Sequence, residues 1–226
     1  MTFGSKILNR NTLKFIAMFT MVIDHIGRFY SGTTHFIMTD VIGRIAFPIF
    51  LFLLVDGYKR TKNKTKHIRD LLLFAIISEP IHDKLFYGQW FYLKQQNVLF
   101  TFALCWLLLI ALDKVFTIKD KPIKIATIFF ITIVFSAIAY FYHVNYDISA
   151  IVGCTLLYVF SNYGIFGSCG IESMLYGTPG CLLAIPIVLL YNPNKICVYN
   201  KLIKYVFYVF YPLHLSLLYV LQVYYF

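Results

Sequence analysis

Apolar stretches recur along almost the whole chain, separated by short polar segments. A membrane crossing needs about 20 mostly apolar residues, and such runs cover residues 13–30, 41–58, 71–82, 97–112, 125–142, 148–160, 181–191 and 204–226. Hydrophobic residues make up 60% of the chain and charged residues 13%, with a mean hydropathy of +0.73. Soluble domains carry about twice that share of charge. The sequence therefore predicts an all-α, polytopic transmembrane helix bundle of eight to nine spans. Neither an internal repeat nor a Pro/Gly/Ser-rich linker divides it, so residues 1–226 are expected to form one domain.

The net charge is +10. Such an excess raises the question of nucleic acid, but the basic residues sit in short runs between apolar stretches, where membrane topology and lipid account for them and no nucleic-acid partner is expected. The segment YKRTKNKTKHIRD carries Lys59, Arg60, Lys62, Lys64, Lys66 and Arg69. Short lysine- and arginine-rich loops stay in the cytoplasm. Lys6, Arg10 and Lys14 agree, which predicts a cytoplasmic N-terminus, a retained first span without a small-x-small cleavage site, and residence in the cell membrane. The Lys114–Lys124 loop fits the same orientation, but Lys195, Lys201 and Lys204 do so only if a further short or broken helix crosses within residues 163–176.

Cys105, Cys154, Cys169, Cys181 and Cys197 lie mostly inside apolar runs and form no C-x-x-C pair. They are expected to be packing residues. The histidines are scattered without ligand spacing, so no metal is expected.

The polar residues inside the apolar runs carry the most information. In a helix rising about 1.5 Å per residue, Asp24 and His25 lie roughly 8–9 Å from the far end of the first span. Arg44 enters the second span at a similar depth, Glu79 and His82 close the third, Asn97 opens the fourth, Asp147 precedes the sixth, and His214 falls in the same layer of the last. Ionisable groups in hydrocarbon cost several kcal/mol and mark functional sites by default. Plainer readings compete with this one. Asp24 and Arg28, four apart, suit a structural ion pair; Arg44 suits an arginine snorkelling to the surface; His214 suits a packing histidine; and Glu79-Pro80 suits a helix end.

The blocks LKFIAMFTMVIDHIGRFY, IGRIAFPIFLFLLVDGYKRTKN, ISEPIHDKLF, QQNVLFTFALCWLLLIALDK, AIPIVLLYN and KYVFYVFYPLHLSLLYV resemble, in order, those of the TraX family. The combination of D-H-I-G, G-R-I-A-F-P, N-V-L-F-T and F-Y-P-x-H-L carries the resemblance over most of the chain. It implies an integral membrane acetyltransferase that uses acetyl-CoA, the founding members of the family acetylating the N-terminus of a conjugative pilin subunit. It also implies distant similarity to larger membrane acyltransferases with a histidine on an early helix. The chain departs from the family at 160–180 and around the proline of ISEPIHD.

Acyl transfer needs a base for the acceptor proton and a donor or cation for the oxyanion. His25 is the expected general base, oriented by Asp24 or a neighbouring carboxylate, and Arg44 or the Asn97 amide the expected oxyanion stabiliser. Arg28, Glu79, Asn97 and His214 are expected to line the site. Lys59, Arg60, Lys62, Lys64 and Arg69 are expected to bind the phosphates of acetyl-CoA. The acceptor, whether peptide, pilin, glycan or another surface molecule, is not encoded in any motif. Two other classes compete: a proton-coupled transporter with Asp24, His25, Glu79 and His214 as relay, against which stands the lack of an inverted repeat, and a non-catalytic assembly factor.

Overall fold

The computed structural model describes residues 7–195 and 201–225, excepting the side chains of 201–205 and 225. Cys197 and the side chains of Lys201 and Lys204 lie outside the described residues. The described residues form a helical bundle without strands. Its helices are α1 (Arg10–Gly27), a rod α2 (Gly32–Arg60), α3 (Lys64–Tyr87), α4 (Val98–Val115), α5 (Lys121–Phe141), α6 (Asp147–Phe160), α7 (Gly164–Tyr176), α8 (Pro179–Leu189) and α9 (Lys201–Tyr225).

Among the described residues, five stretches are long and apolar enough to cross a membrane: α2, α4, α5, α6 with α7 taken together, and Val206–Tyr224 of α9. The fourth, however, is folded back on itself. Ser161 takes φ 54°, and a Cβ on Gly164 would stand 2.3 Å from the Leu156 carbonyl oxygen. Glycine is thus what lets α7 pack antiparallel against α6. The stretch 163–176, where the lysine distribution called for a crossing, holds a helix of 13 residues, α7, packed back against α6.

Helix limits follow local chemistry. Asn9, Asn63, Asn97 and Asp120 cap α1, α3, α4 and α5 by accepting a hydrogen bond from a backbone N–H two or three residues on, which satisfies an orphan donor of the first turn. The Glu79-Pro80 pair does not end a helix, as the sequence had suggested. α3 continues through Pro80 to Tyr87, and the Asn97 side-chain amide donates to the Ala75 carbonyl at 2.9 Å, one turn earlier. Pro80 lacks the N–H that would serve the Ile76 carbonyl, so the Asn97 bond braces α3 one residue away from the carbonyl that the proline releases.

The rod α2 begins earlier than its apolar run: it opens as α-helix, Gly32–Phe36, widens to a π-helical turn, Ile37–Ile42, tightens to a 3-10 turn, Gly43–Ile45, and continues as α-helix from Ala46. It forms the core with Leu13 and Ala17 of α1, Trp106 and Leu109 of α4, and Ile151 and Leu157 of α6. α5 lies on the outside, with Phe129, Phe130, Ile133 and Phe141 exposed, as expected of a lipid-facing helix. Cys105, Cys154, Cys169 and Cys181 are buried free thiols.

The close packing of α6 and α7 yields a paired test. Gly164→Ala should destabilise the protein by about 1–3 kcal/mol through overpacking. Gly170→Ala, on the same helix with nothing within 4 Å of the added carbon, should be neutral or stabilising by up to about 1 kcal/mol. Thermal unfolding in detergent reads both.

Candidate functional site

The two ends of the bundle differ in chemistry. At the end where Leu8 pairs with Tyr191, Asp56 gathers Arg10 at 3.8 Å, Arg60 at 3.1 Å and the Tyr191 hydroxyl at 3.1 Å. Gly57 has no side chain, so the Arg10 guanidinium can lie against α2 and donate to the Leu53 carbonyl at 3.2 Å. Fifteen residues on, about 22 Å along α1, stand Asp24 and His25.

A cavity of about 930 Å³ connects these ends. Arg10, Lys14, Arg60, Lys62, Lys66 and Lys195 line its basic mouth, Phe50, Leu54, Leu71 and Phe102 its middle, and Asp24, His25, Arg28, His82 and Tyr146 its far end. Asp24 is the one acidic residue among the described residues that line it, so the mouth carries an excess of cations even with Arg10 and Arg60 paired to Asp56. Of the five cations expected to meet phosphates, Arg60 and Lys62 line the cavity. Lys59 instead reaches Ser161 at 3.3 Å, Lys64 is held at 2.6 Å from Asp113, and Arg69 pairs with Asp70 at 3.2 Å. Arg10, Lys14, Lys66 and Lys195 take their place at the mouth.

At the far end, His25 Nδ1 lies 2.9 Å from His214 Nε2, and His214 Nδ1 lies 2.9 Å from the Phe210 carbonyl oxygen. A carbonyl can only accept. His214 Nδ1 therefore carries the proton, neutral His214 offers Nε2 as acceptor, and His25 donates from Nδ1. The lone pair of His25 is thereby fixed on Nε2, the nitrogen 3.9 Å from Asp24 Oδ2. Phe86 packs edge-on against His25, with 5.1 Å between ring centroids. Asp24 is too far for a hydrogen bond to His25 and instead pairs with Arg28 at 3.2 Å. It is the histidine of α9, rather than a carboxylate, that orients His25.

Arg44 pairs with Asp40 at 3.9 Å and donates to the Tyr146 hydroxyl at 3.3 Å. Tyr146 lines the cavity where Arg44 does not. The guanidinium leaves the Tyr146 O–H proton free to donate into the cavity. Tyr146 has φ 64° and its ring stacks on Phe47 with 3.6 Å between centroids. A bulky residue held at positive φ is a mark of functional sites.

Asn97 is fully buried, and its amide donates to Glu79 and to the Ala75 carbonyl while its Oδ1 accepts from Leu99 N–H at 2.9 Å. Both amide protons are engaged, which leaves none for an oxyanion. Glu79, His82 and Asp83 form the one cluster of potential metal ligands found among the described residues. Most of their atoms are tied to protein partners, Glu79 Oε2 to Asn97 and Asp83 to His82 and to Tyr92 N–H, while Glu79 Oε1 is buried without a hydrogen-bond partner among the described residues. Glu172, which the sequence reading passed over, is 1% exposed, and neither carboxylate oxygen has a hydrogen-bond partner among the described residues.

The order of these polar groups along the chain is that of a known family. Residues 9–222 match the family model described as "TraX protein". The chain belongs to the TraX family. Another relative of this TraX chain, in Dichelobacter nodosus, is described as "Probable fimbrial assembly protein FimC, serogroup H1". It is 26% identical over 231 residues, which cover 91% of this chain and 92% of the relative. No solved structure matches the chain.

The Glu79–Asn97 linkage makes a stability prediction for this TraX protein. Asn97→Ala removes the α4 cap and the side-chain amide that serves Glu79 and the Ala75 carbonyl, leaving Glu79 only the backbone N–H of residue 97. Unfolding in mild detergent should show a loss of about 2–3 kcal/mol.

Proposed function

We propose that this TraX protein is an integral membrane acetyltransferase that takes the acetyl group from acetyl-CoA on the cytoplasmic side and delivers it to a pilus-related or other surface molecule. The observation that carries this reading is the single cavity from a cationic mouth to an oriented histidine. The mouth suits the phosphates of the donor, since guanidinium and ammonium groups recognise phosphate by charge-assisted hydrogen bonds. The apolar middle suits its long uncharged arm, and about 22 Å of helix separates Arg10 from His25.

In this mechanism, His25 Nε2 accepts the proton of the acceptor as the acceptor's heteroatom forms a bond to the thioester carbonyl carbon. The C–S bond breaks and the proton passes to the departing thiolate. His214 fixes the tautomer of His25, and Asp24, at 3.9 Å, stabilises the imidazolium. Arg28 and the Tyr146 hydroxyl, both lining the cavity, stabilise the oxyanion. A general base contributes about 10²–10⁴-fold in rate, and one oxyanion donor about 3–4 kcal/mol.

Calorimetry on the protein in detergent tests the donor half. Acetyl-CoA should bind in the micromolar range. Replacing Arg60, Lys62 and Lys66 together by alanine should weaken binding about tenfold or more. Replacing Lys59, Lys64 and Arg69, which do not line the cavity, should change it less than about twofold. Equal losses in the two triple variants would contradict the placement of the phosphates, and absence of binding by the folded wild type would contradict the enzyme reading. His25→Ala should bind acetyl-CoA as wild type does and lose transfer by about 10²-fold or more. The name of the Dichelobacter relative favours a second reading, a non-catalytic assembly factor. Under that reading His25→Ala leaves assembly intact.

A further inference from the structure

A second cavity opens at the histidine end. It has a volume of about 260 Å³ and is lined by Asp24, Arg28, His35, Thr39, Asp40 and Arg44. Asp24 and Arg28 also line the large cavity, and the other four do not. The Asp24–Arg28 ion pair is therefore the partition between the long channel and this cleft, and it stands next to His25.

Three features make the cleft a built site. First, every lining residue is polar, so there is no seat for a lipid tail or an apolar side chain. Second, part of its wall is the π-helical turn Ile37–Ile42, a rare conformation that recurs at functional sites. The turn is held against α1 through Gly27, where a Cβ would stand 2.6 Å from Met38 Cβ and 2.9 Å from Thr39 Cγ2. Thr39 donates to the His35 carbonyl at 2.8 Å, and its hydroxyl also lies 3.0 Å from Asp40 Oδ2; His35 Nδ1 donates to the Gly27 carbonyl at 3.0 Å. Third, the charges balance: Asp24 is matched by Arg28 at 3.2 Å and Asp40 by Arg44 at 3.9 Å.

That balance selects the ligand. An ammonium group entering the cleft meets two guanidinium groups beside the two carboxylates, and a phosphate or carboxylate meets the two carboxylates beside the guanidinium groups, so neither charge gains on balance. A neutral group with adjacent hydroxyls can donate to the carboxylates and accept from the guanidinium N–H groups at the same time. We infer that the cleft is the acceptor site of the acetyltransferase proposed above, and that it takes the hydroxyl groups of a neutral sugar, giving an O-acetyl ester. The hydroxyl oxygen bonds to the acetyl carbonyl carbon, the C–S bond of the donor breaks, and the hydroxyl proton moves to His25 Nε2 and then to the thiolate. The inference rests on that enzyme reading.

The test uses the full chain in lipid nanodiscs with acetyl-labelled acetyl-CoA and two probes, a methyl glycoside of a neutral hexose and trialanine. Binding of acetyl-CoA is measured first and separately. Label on the glycoside, released by hydroxylamine as expected of an ester, supports the inference. Hydroxylamine-resistant label on trialanine, or thioester turnover with no label on the glycoside, overturns it while leaving the enzyme reading standing. No binding of acetyl-CoA overturns both. Asp40→Asn should raise the KM for the glycoside about tenfold and leave the acetyl-CoA Kd unchanged, with the thermal midpoint confirming the fold. An unchanged KM overturns the assignment of the cleft.

Discussion

The arrangement depends on the near-contact of two backbones. A Cβ on Gly43 would lie 2.5 Å from Asp24 Cβ and 2.9 Å from its Cα, so α1 and α2 meet at the level of the buried carboxylate. Small residues that allow backbones to approach are the common device of helix association in lipid, where hydrophobic burial offers little drive. Here the approach does more than join two helices. It sets Asp24 at the boundary of two cavities, positions Arg28 one turn on, and brings the π-helical turn with Thr39 and Asp40 to the outer cleft.

The remaining polar groups follow from the requirement that a buried donor or acceptor find a partner. The His25–His214–Phe210 chain engages three ring nitrogens and a carbonyl, and in doing so it selects a tautomer that leaves His25 Nε2 open. The Asn97 side chain serves the same requirement where Pro80 interrupts α3. These two networks look alike in sequence, each a polar residue in an apolar run, yet one faces the cavity and the other is closed on itself. Exceptions remain among the described residues, such as Glu79 Oε1 and Thr178 Oγ1, and Glu172 is the carboxylate with neither oxygen bonded, set in the electrostatic field of Arg44.

Much of this was legible in the sequence. Apolar run length gave the helical bundle, lysine placement pointed to a helix within 163–176, and the depth of Asp24, His25 and His214 along their helices anticipated that they share a layer. The early start of α2 was missed because Thr33, Thr34, His35 and Asp40 dilute the apolar signal that a π-helical turn does not need. The continuation of α3 past Pro80 was missed because the side chain that braces it, Asn97, lies 22 residues from the Ala75 carbonyl it bonds. Tyr146 was invisible as one tyrosine among 18, and only the fold brings it to Arg44. Likewise, a basic loop names its cations collectively. Which of them face a cavity depends on helix phase and on local partners such as Asp113 and Asp70.

The central claim is that the cationic mouth and His25 belong to one channel for one donor. Bromoacetyl-CoA tests it most directly, because its alkylating carbon occupies the place of the acetyl group, and attack by nitrogen with departure of bromide leaves a covalent mark. Peptide mass spectrometry should find the adduct on His25, suppressed by excess coenzyme A and by alanine at Arg60, Lys62 and Lys66. Adducts confined to other residues, or an adduct on His25 that coenzyme A does not suppress, would contradict the account.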